Sequence, residues 1–249
     1  MAKKKAKKPK LSASLFRLTG ASAKLKIDEK KKALYYFKAK ITPEKAVKLA
    51  RSDGAEILGV SPSDVKVGRP KLKHDFYCIY DAELELKFLR PRVQEIGVNN
   101  EVAGVMVGKE ILTPGKGRDI PGRSIKVTMV ELFSVTRSDS MVLDGITGAP
   151  ARSLERVLKG AGKKKATAAW VRKAGVTPGK FNSIEKVVRG VAKVAGAKPK
   201  DAKRVVSHTL TFKRLDGFYI PTYYITVSGG GASKTMRINA VTGNVAIKL

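Results

Sequence analysis

The sequence is poor in the residues that build covalent, metal and redox sites. Its one cysteine, Cys78, cannot close an internal disulfide, and with only His74 and His208 besides it there is no four-ligand zinc cluster. Cys78 stands in the apolar run Phe76-Tyr77-Cys78-Ile79-Tyr80, the setting of an inert core thiol. No stretch approaches the roughly 18 apolar residues of a spanning helix, and the lysines at the N-terminus are not followed by the apolar segment of a secretory signal. A cytoplasmic protein without membrane attachment is expected. The Gly-x-Ser-x-Gly elbow, the His-Glu-x-x-His zinc motif and the kinase motifs are all missing, so no active site, cofactor or small-molecule substrate is expected. Aromatic residues are also scarce, at 6%. That argues against a dedicated single-strand reader built on stacking platforms.

Acid is the other shortage, with 21 Asp+Glu against 51 Lys+Arg, a formal charge of +30 over 249 residues. So large an excess calls for a polyanionic partner. Hydrophobic residues make up 43% of the chain, too many for a disordered basic tail, so the charge decorates a packed fold. Gln94 is the only glutamine and lysine dominates the charged set, a bias that points to a thermophile and fits an archaeal source.

The charge is segregated. Residues 1–32 read as a basic N-terminal arm, whose first ten residues include Lys3, Lys4, Lys5, Lys7, Lys8 and Lys10, with Arg17 further along. Between Ala151 and Arg214 there are eighteen Lys/Arg and three acids, whereas His74 to Glu101 holds six acids and three Lys/Arg. Two further basic groups stand out. In Pro114-Gly115-Lys116-Gly117-Arg118-Asp119-Ile120-Pro121-Gly122-Arg123, glycines allow close backbone approach while Lys116, Arg118 and Arg123 supply charge. In a connector over 152–179, Lys163, Lys164, Lys165, Arg172 and Lys173 flank Trp170, which either stacks on a base or, the favoured reading, anchors the connector to a sheet.

One pattern recurs. Met141-Val142-Leu143-Asp144-Gly145-Ile146-Thr147-Gly148 matches Met236-Arg237-Ile238-Asn239-Ala240-Val241-Thr242-Gly243, and each follows alternating apolar sequence, so each reads as a hairpin ending in a tight turn. Upstream, Thr42-Pro43-Glu44 and Ser183-Ile184-Glu185 each open a helical pattern with an N-cap and an early glutamate. The expected fold is therefore α+β: two tandem repeats of a helix packed on a small antiparallel sheet, over 33–151, with an insertion at 90–123, and over 180–249. His74 and His208 stand near the starts of strands in the two copies and are expected to serve the fold.

The second copy's Tyr223, Ile225, Val227, Asn239, Ala240, Thr242, Gly243 and Val245 resemble the PepSY-type repeat; the first retains only Asp144, Thr147 and Gly148. The resemblance implies fold more than function, because such domains are usually exported and tied to protease inhibition, and that activity is not carried over. Charge and organisation together lead to the expectation of a non-enzymatic nucleic-acid-binding protein, with ribosomal RNA favoured over DNA, ribosome-associated and in contact with phosphates, and with ribosomal proteins as a further class of partner. A chromatin or viral-genome DNA-binding protein and a PepSY-like protein-binding module are the alternatives.

Overall fold

A computed structural model describes residues 11–247. In chain order its elements are β1 (Lys26–Glu29), β2 (Lys32–Phe37), α1 (Pro43–Leu58), β3 (Lys66–Val67), β4 (Lys71–Val98), β5 (Val105–Val107), β6 (Glu110–Leu112), β7 (Gly115–Lys116), β8 (Arg123–Asp144), α2 (Glu155–Lys159), β9 (Lys163–Lys165), α3 (Ala168–Lys173), α4 (Ile184–Ala195), β10 (Arg204–Gly229), β11 (Ala232–Asn239) and β12 (Val245–Ile247).

The expected pair of separate helix-on-sheet repeats is overturned. The fold is mostly strand, and strands from both copies enter one mixed sheet of ten, in the order β12-β11-β10-β4-β8-β7, with β1, β2 and β3 also on β10 and β9 on β2. The physical reason lies in β10 and β4, which open the two duplicated hairpins and pair with each other. A small sheet in each copy would have left those edges open to other chains; pairing them closes both. β2 joins β10 in parallel, from Leu215↔Lys32 to Tyr219↔Tyr36, which makes the sheet mixed.

The described residues divide into two compact units, formed by segments 11–26, 84–137 and 196–209 and by segments 27–83, 138–195 and 210–247. In the first, Leu86, Phe88, Ala202 and Val205 form a small core with Ala23, Phe133 and Val135. Phe88 stacks on Phe133 at 4.9 Å, and Arg90 lies over the Phe133 ring while pairing with Glu131 (2.7 Å) and Asp201 (2.6 Å). The 90–123 insertion continues β4 and then makes the β5–β6 hairpin, where Met106 faces Ile111. Arg123 ties this loop down, donating to the carbonyls of Asn100 (2.8 Å), Val102 (3.1 Å) and Pro114 (3.0 Å).

The second unit holds both duplicated turns, and they fold alike. Asp144 Oδ1 accepts the amides of Ile146 (2.7 Å) and Thr147 (3.2 Å), as Asn239 Oδ1 accepts those of Val241 (2.9 Å) and Thr242 (3.2 Å). Gly148 and Gly243, at φ +80° and +84°, then donate back to the carbonyls of Asp144 and Asn239, both at 2.8 Å. This left-handed position is why both copies carry glycine there, and the preceding Thr147 and Thr242 hydroxyls accept the amides of Ala149 (3.1 Å) and Asn244 (3.2 Å). Each turn is pinned to the opening strand of its own hairpin, Gly145 N to Phe76 O at 2.8 Å and Ala240 N to Pro221 O at 2.9 Å.

The helices cross over between copies. The segment before α4 docks on the first turn, Phe181 N to Gly145 O at 2.8 Å, and the segment before α1 docks on the second, Ile41 N to Ala240 O at 2.9 Å. Thr42 caps α1 by accepting the Lys45 amide, Pro43 occupies its first turn, and Gly59 ends it in the left-handed conformation. Its small face, Ala46, Ala50 and Ala55, lies in one core with Tyr223, Ile225, Val227, Met236 and Ile238 of the second hairpin. At Gly54 the approach is so close that a Cβ would stand 3.2 Å from Val227.

Candidate nucleic-acid interface

Of the basic residues singled out in the sequence, Lys3, Lys4, Lys5, Lys7, Lys8 and Lys10 lie outside the described residues. Arg17 is exposed, and its carbonyl receives Arg204 at 2.8 Å. Lys116 and Arg118 are exposed on the insertion, where the amides of Arg118 and Asp119 both donate to Glu95 Oε2 (2.9 and 3.0 Å). Those two bonds hold the Glu95 carboxyl pKa below its ordinary value, with the nearby Lys126 adding to the effect. The Arg123 guanidinium is occupied by the three carbonyls that it clamps.

The connector residues form a more coherent group. Lys163, Lys164 and Lys165 make up β9, antiparallel to β2 with Phe37, Tyr36 and Tyr35 opposite. Because β9 pairs only with β2 among the described residues, it is an edge there, and alternating side chains point to opposite faces. Lys163 is half-buried, over the Tyr35 ring and donating to the Lys159 carbonyl, whereas Lys164 and Lys165 are exposed. α3 follows at once, capped by Thr167, and carries Arg172 and Lys173 into solvent. Between these cations Trp170 stacks on Tyr36 (4.3 Å) and meets Tyr219 (5.5 Å) and the edge of His74 (5.1 Å). The indole therefore anchors the connector to the sheet. A shallow cavity of about 350 Å³ opens beside it, lined by Tyr36, Lys38, Leu72, His74 and Lys173 among others. Burial lowers the His74 imidazole pKa against a smaller opposing pull from Asp75, and its Nδ1 has no hydrogen-bond partner among the described residues.

α4 adds three more exposed cations, Lys186, Arg189 and Lys193, spaced to share one face. Its crossed-over counterpart α1 sets Lys45, Lys48 and Arg51 against Glu44, Asp53 and Glu56 and so carries no excess. Structurally equivalent helices thus differ in charge.

The sequence reading missed the most organised polar cluster. Asp75 is buried at 1% exposure and fully engaged: Oδ2 accepts Arg237 Nη2 at 2.7 Å and Nε at 3.2 Å, and Oδ1 accepts Thr177 Oγ1 at 2.6 Å and Tyr224 Oη at 2.7 Å. Burial works against the Arg237 charge, but Asp75 outweighs it and holds the guanidinium pKa above its ordinary value; burial likewise raises that of the Tyr224 phenol. Beside this cluster lies a cavity of about 390 Å³ whose lining includes Arg69, Lys71, Lys73, Ile146, Pro178, Tyr224, Thr226, Thr235 and Arg237. The signal in the sequence was Arg69-x-Lys71-x-Lys73-x-Asp75, three cations and an acid at strand period on one face, with Leu72 and His74 on the other.

The chain matches no family model, no curated protein and no solved structure. The PepSY-type resemblance thus rests on hairpin and turn residues alone, and the bonds of the two turns explain its Asp/Asn and Gly positions without reference to activity. Among the described residues no helix is long and apolar enough to cross a membrane, and no group of three His, Cys, Asp or Glu side chains could hold a metal ion.

Proposed function

We propose that this is a non-enzymatic nucleic-acid-binding protein, with structured RNA, ribosomal RNA above all, as its partner in a ribosome-associated setting. The observation that carries the reading is the unmatched charge. With +30 overall, ion pairs among the described residues engage only a small minority of the lysines and arginines, and Lys164, Lys165, Arg172 and Lys173 on one connector have no carboxylate partner there. Neutralising phosphates releases counterions, the usual driving force for such a surface. With few exposed aromatics, recognition runs through shape and backbone charge, as in structured RNA.

Crosslinking in cells followed by identification of the recovered nucleic acid tests the proposal. Ribosomal RNA is the expected product, with co-sedimentation on ribosomal subunits that high salt reverses. Recovery of duplex DNA would replace the RNA reading with a chromatin or viral-genome one, and sedimentation at the top of a low-salt gradient with no nucleic acid would end both. Substituting alanine at Lys164, Lys165, Arg172 and Lys173 is expected to lower affinity and to reduce the slope of log K against log salt by about one for each phosphate that is no longer neutralised.

A further inference from the structure

The duplication permits an internal comparison. The turns equate Val142 with Arg237, and their anchors equate Phe76 with Pro221 and Ile41 with Phe181. The flanking bridges agree, since Tyr36 lies parallel to Tyr219 as Val176 lies parallel to His74. His74 therefore corresponds to Tyr219 and not, as the sequence suggested, to His208. Counting from the same anchors, Ile79 corresponds to Tyr224, Ile220 to Asp75, Phe218 to Lys73 and Phe37 to Thr177.

In the first set all five positions are apolar. Phe37, Ile79, Val142, Phe218 and Ile220 form a closed core filled from the connector by Leu158 of α2, with Leu154 beside it. In the second set the same backbone carries Thr177, Tyr224, Arg237, Lys73 and Asp75, and the space beside them is the open cavity of about 390 Å³. Stability does not account for the exchange. Replacing a buried ion pair by well-packed apolar side chains of similar volume is often neutral or stabilising, and this fold contains the apolar solution in its other half. A floor tied by four hydrogen bonds to one buried carboxylate, beneath an open, cationic cavity, is instead what a binding site requires.

We propose that this cavity seats one unpaired nucleotide, its phosphate held by Arg69 and Lys71 and its base lying against Tyr224, Ile146 and Pro178. Arg69 and Lys71 are exposed and unpaired among the described residues, and the half-buried Lys73, over the Tyr224 ring at 5.7 Å, adds a third positive charge. A concave cationic wall concentrates its field on an incoming anion. Thr226 and Thr235, opposite each other across β10 and β11, line the same cavity and offer it hydroxyls. The volume falls within the range of about 300–1,000 Å³ usual for small-ligand sites. The Asp75–Arg237 pair takes no part in capture; it positions Tyr224 and Thr177.

The proposal rests on the nucleic-acid reading, and two arms separate them. The full chain is titrated with adenosine 5′-monophosphate, with inorganic phosphate, and with a labelled single-stranded RNA. The wild type is expected to bind the mononucleotide more tightly than phosphate, and Arg69→Ala with Lys71→Ala to weaken it about tenfold with an unchanged thermal midpoint. Lys164→Ala with Lys165→Ala should weaken RNA while leaving the mononucleotide untouched. RNA binding that responds to the connector variant, with no mononucleotide binding or none sensitive to Arg69 and Lys71, overturns the pocket and leaves the general function standing. Inorganic phosphate competing as well as the mononucleotide overturns the nucleoside assignment. Mononucleotide binding without any RNA binding keeps the pocket, assigns it to a free nucleotide and overturns the general function.

Discussion

Asp75 and Arg237 meet through one carboxylate oxygen, with Nη2 at 2.7 Å and Nε at 3.2 Å, while Arg237 also stands 3.6 Å from Asp144 at the end of β8. Arg237 thereby links the second hairpin to β4 and to the first turn. Its removal strands two acids, one of them at 1% exposure. Arg237→Val is expected to cost about 3–5 kcal/mol in urea unfolding. The double variant Asp75→Ile, Arg237→Val reproduces the residues of the sister site and should be less destabilised than Arg237→Val alone. A double variant worse than either single one would show that the pair is worth more than its apolar replacement.

The two turn glycines make a second comparison. Both have positive φ, so alanine at either should cost about 1 kcal/mol from backbone strain. A Cβ at Gly148 would also lie 2.7 Å from the Phe181 ring, whereas at Gly243 its nearest neighbours are Ile41 and Leu49 at 3.8 Å. Thermal unfolding should therefore rank Gly148→Ala as clearly more destabilising than Gly243→Ala. Equal shifts would mean that Phe181 yields freely.

Arg123 predicts a local effect. Without its guanidinium the carbonyls of Asn100, Val102 and Pro114 lose a shared donor, so Arg123→Ala should speed proteolytic cleavage between residues 99 and 118. The global unfolding midpoint should move by much less. Cleavage unchanged from wild type would show that the hairpin and the Glu95 bonds suffice to hold the loop.

Cys78 is fully buried, and burial, its largest influence, pushes the thiol pKa up to about 12. The thiolate is the reactive form, so alkylation at pH 8 should be negligible in the native protein and quantitative in denaturant. A stoichiometric native reaction would mean that β4 opens locally.

His74 makes a pH prediction. Its folded pKa lies below the usual 6.5 because of burial, so the unfolded chain binds the proton more readily. The neutral imidazole carries no penalty above that value, and stability falls as pH drops below it. Replacing His74 with glutamine should flatten this part of the stability profile between about pH 7 and 5.

Much of the local structure was legible because short-range physics dictates it. The helix starts at Thr42 and Ser183, the two Asx-type turns and the left-handed glycines depend on a few neighbouring residues, and the sequence names those residues directly. The net charge and the crowding of lysine and arginine after Ala151 were equally plain. Partner choice among strands was not. Both hairpins alternate in the same way, so nothing local separates two small sheets from one shared sheet, and it took the pairing of β10 with β4 to decide it. The same holds for α1, whose small apolar face would suit either hairpin until the bond from Ile41 to Ala240 fixed it on the second. The cavity shows the division most clearly. Arg69, Lys71, Lys73 and Asp75 are four alternate letters of a strand pattern, but only long-range pairing brings them against Thr177, Tyr224 and Arg237, residues more than a hundred positions away. Sequence determined the charge, the caps and the turns; tertiary structure decided which copy of the duplicated core was filled and which was left open, because that depends on contacts whose partners lie far apart along the chain.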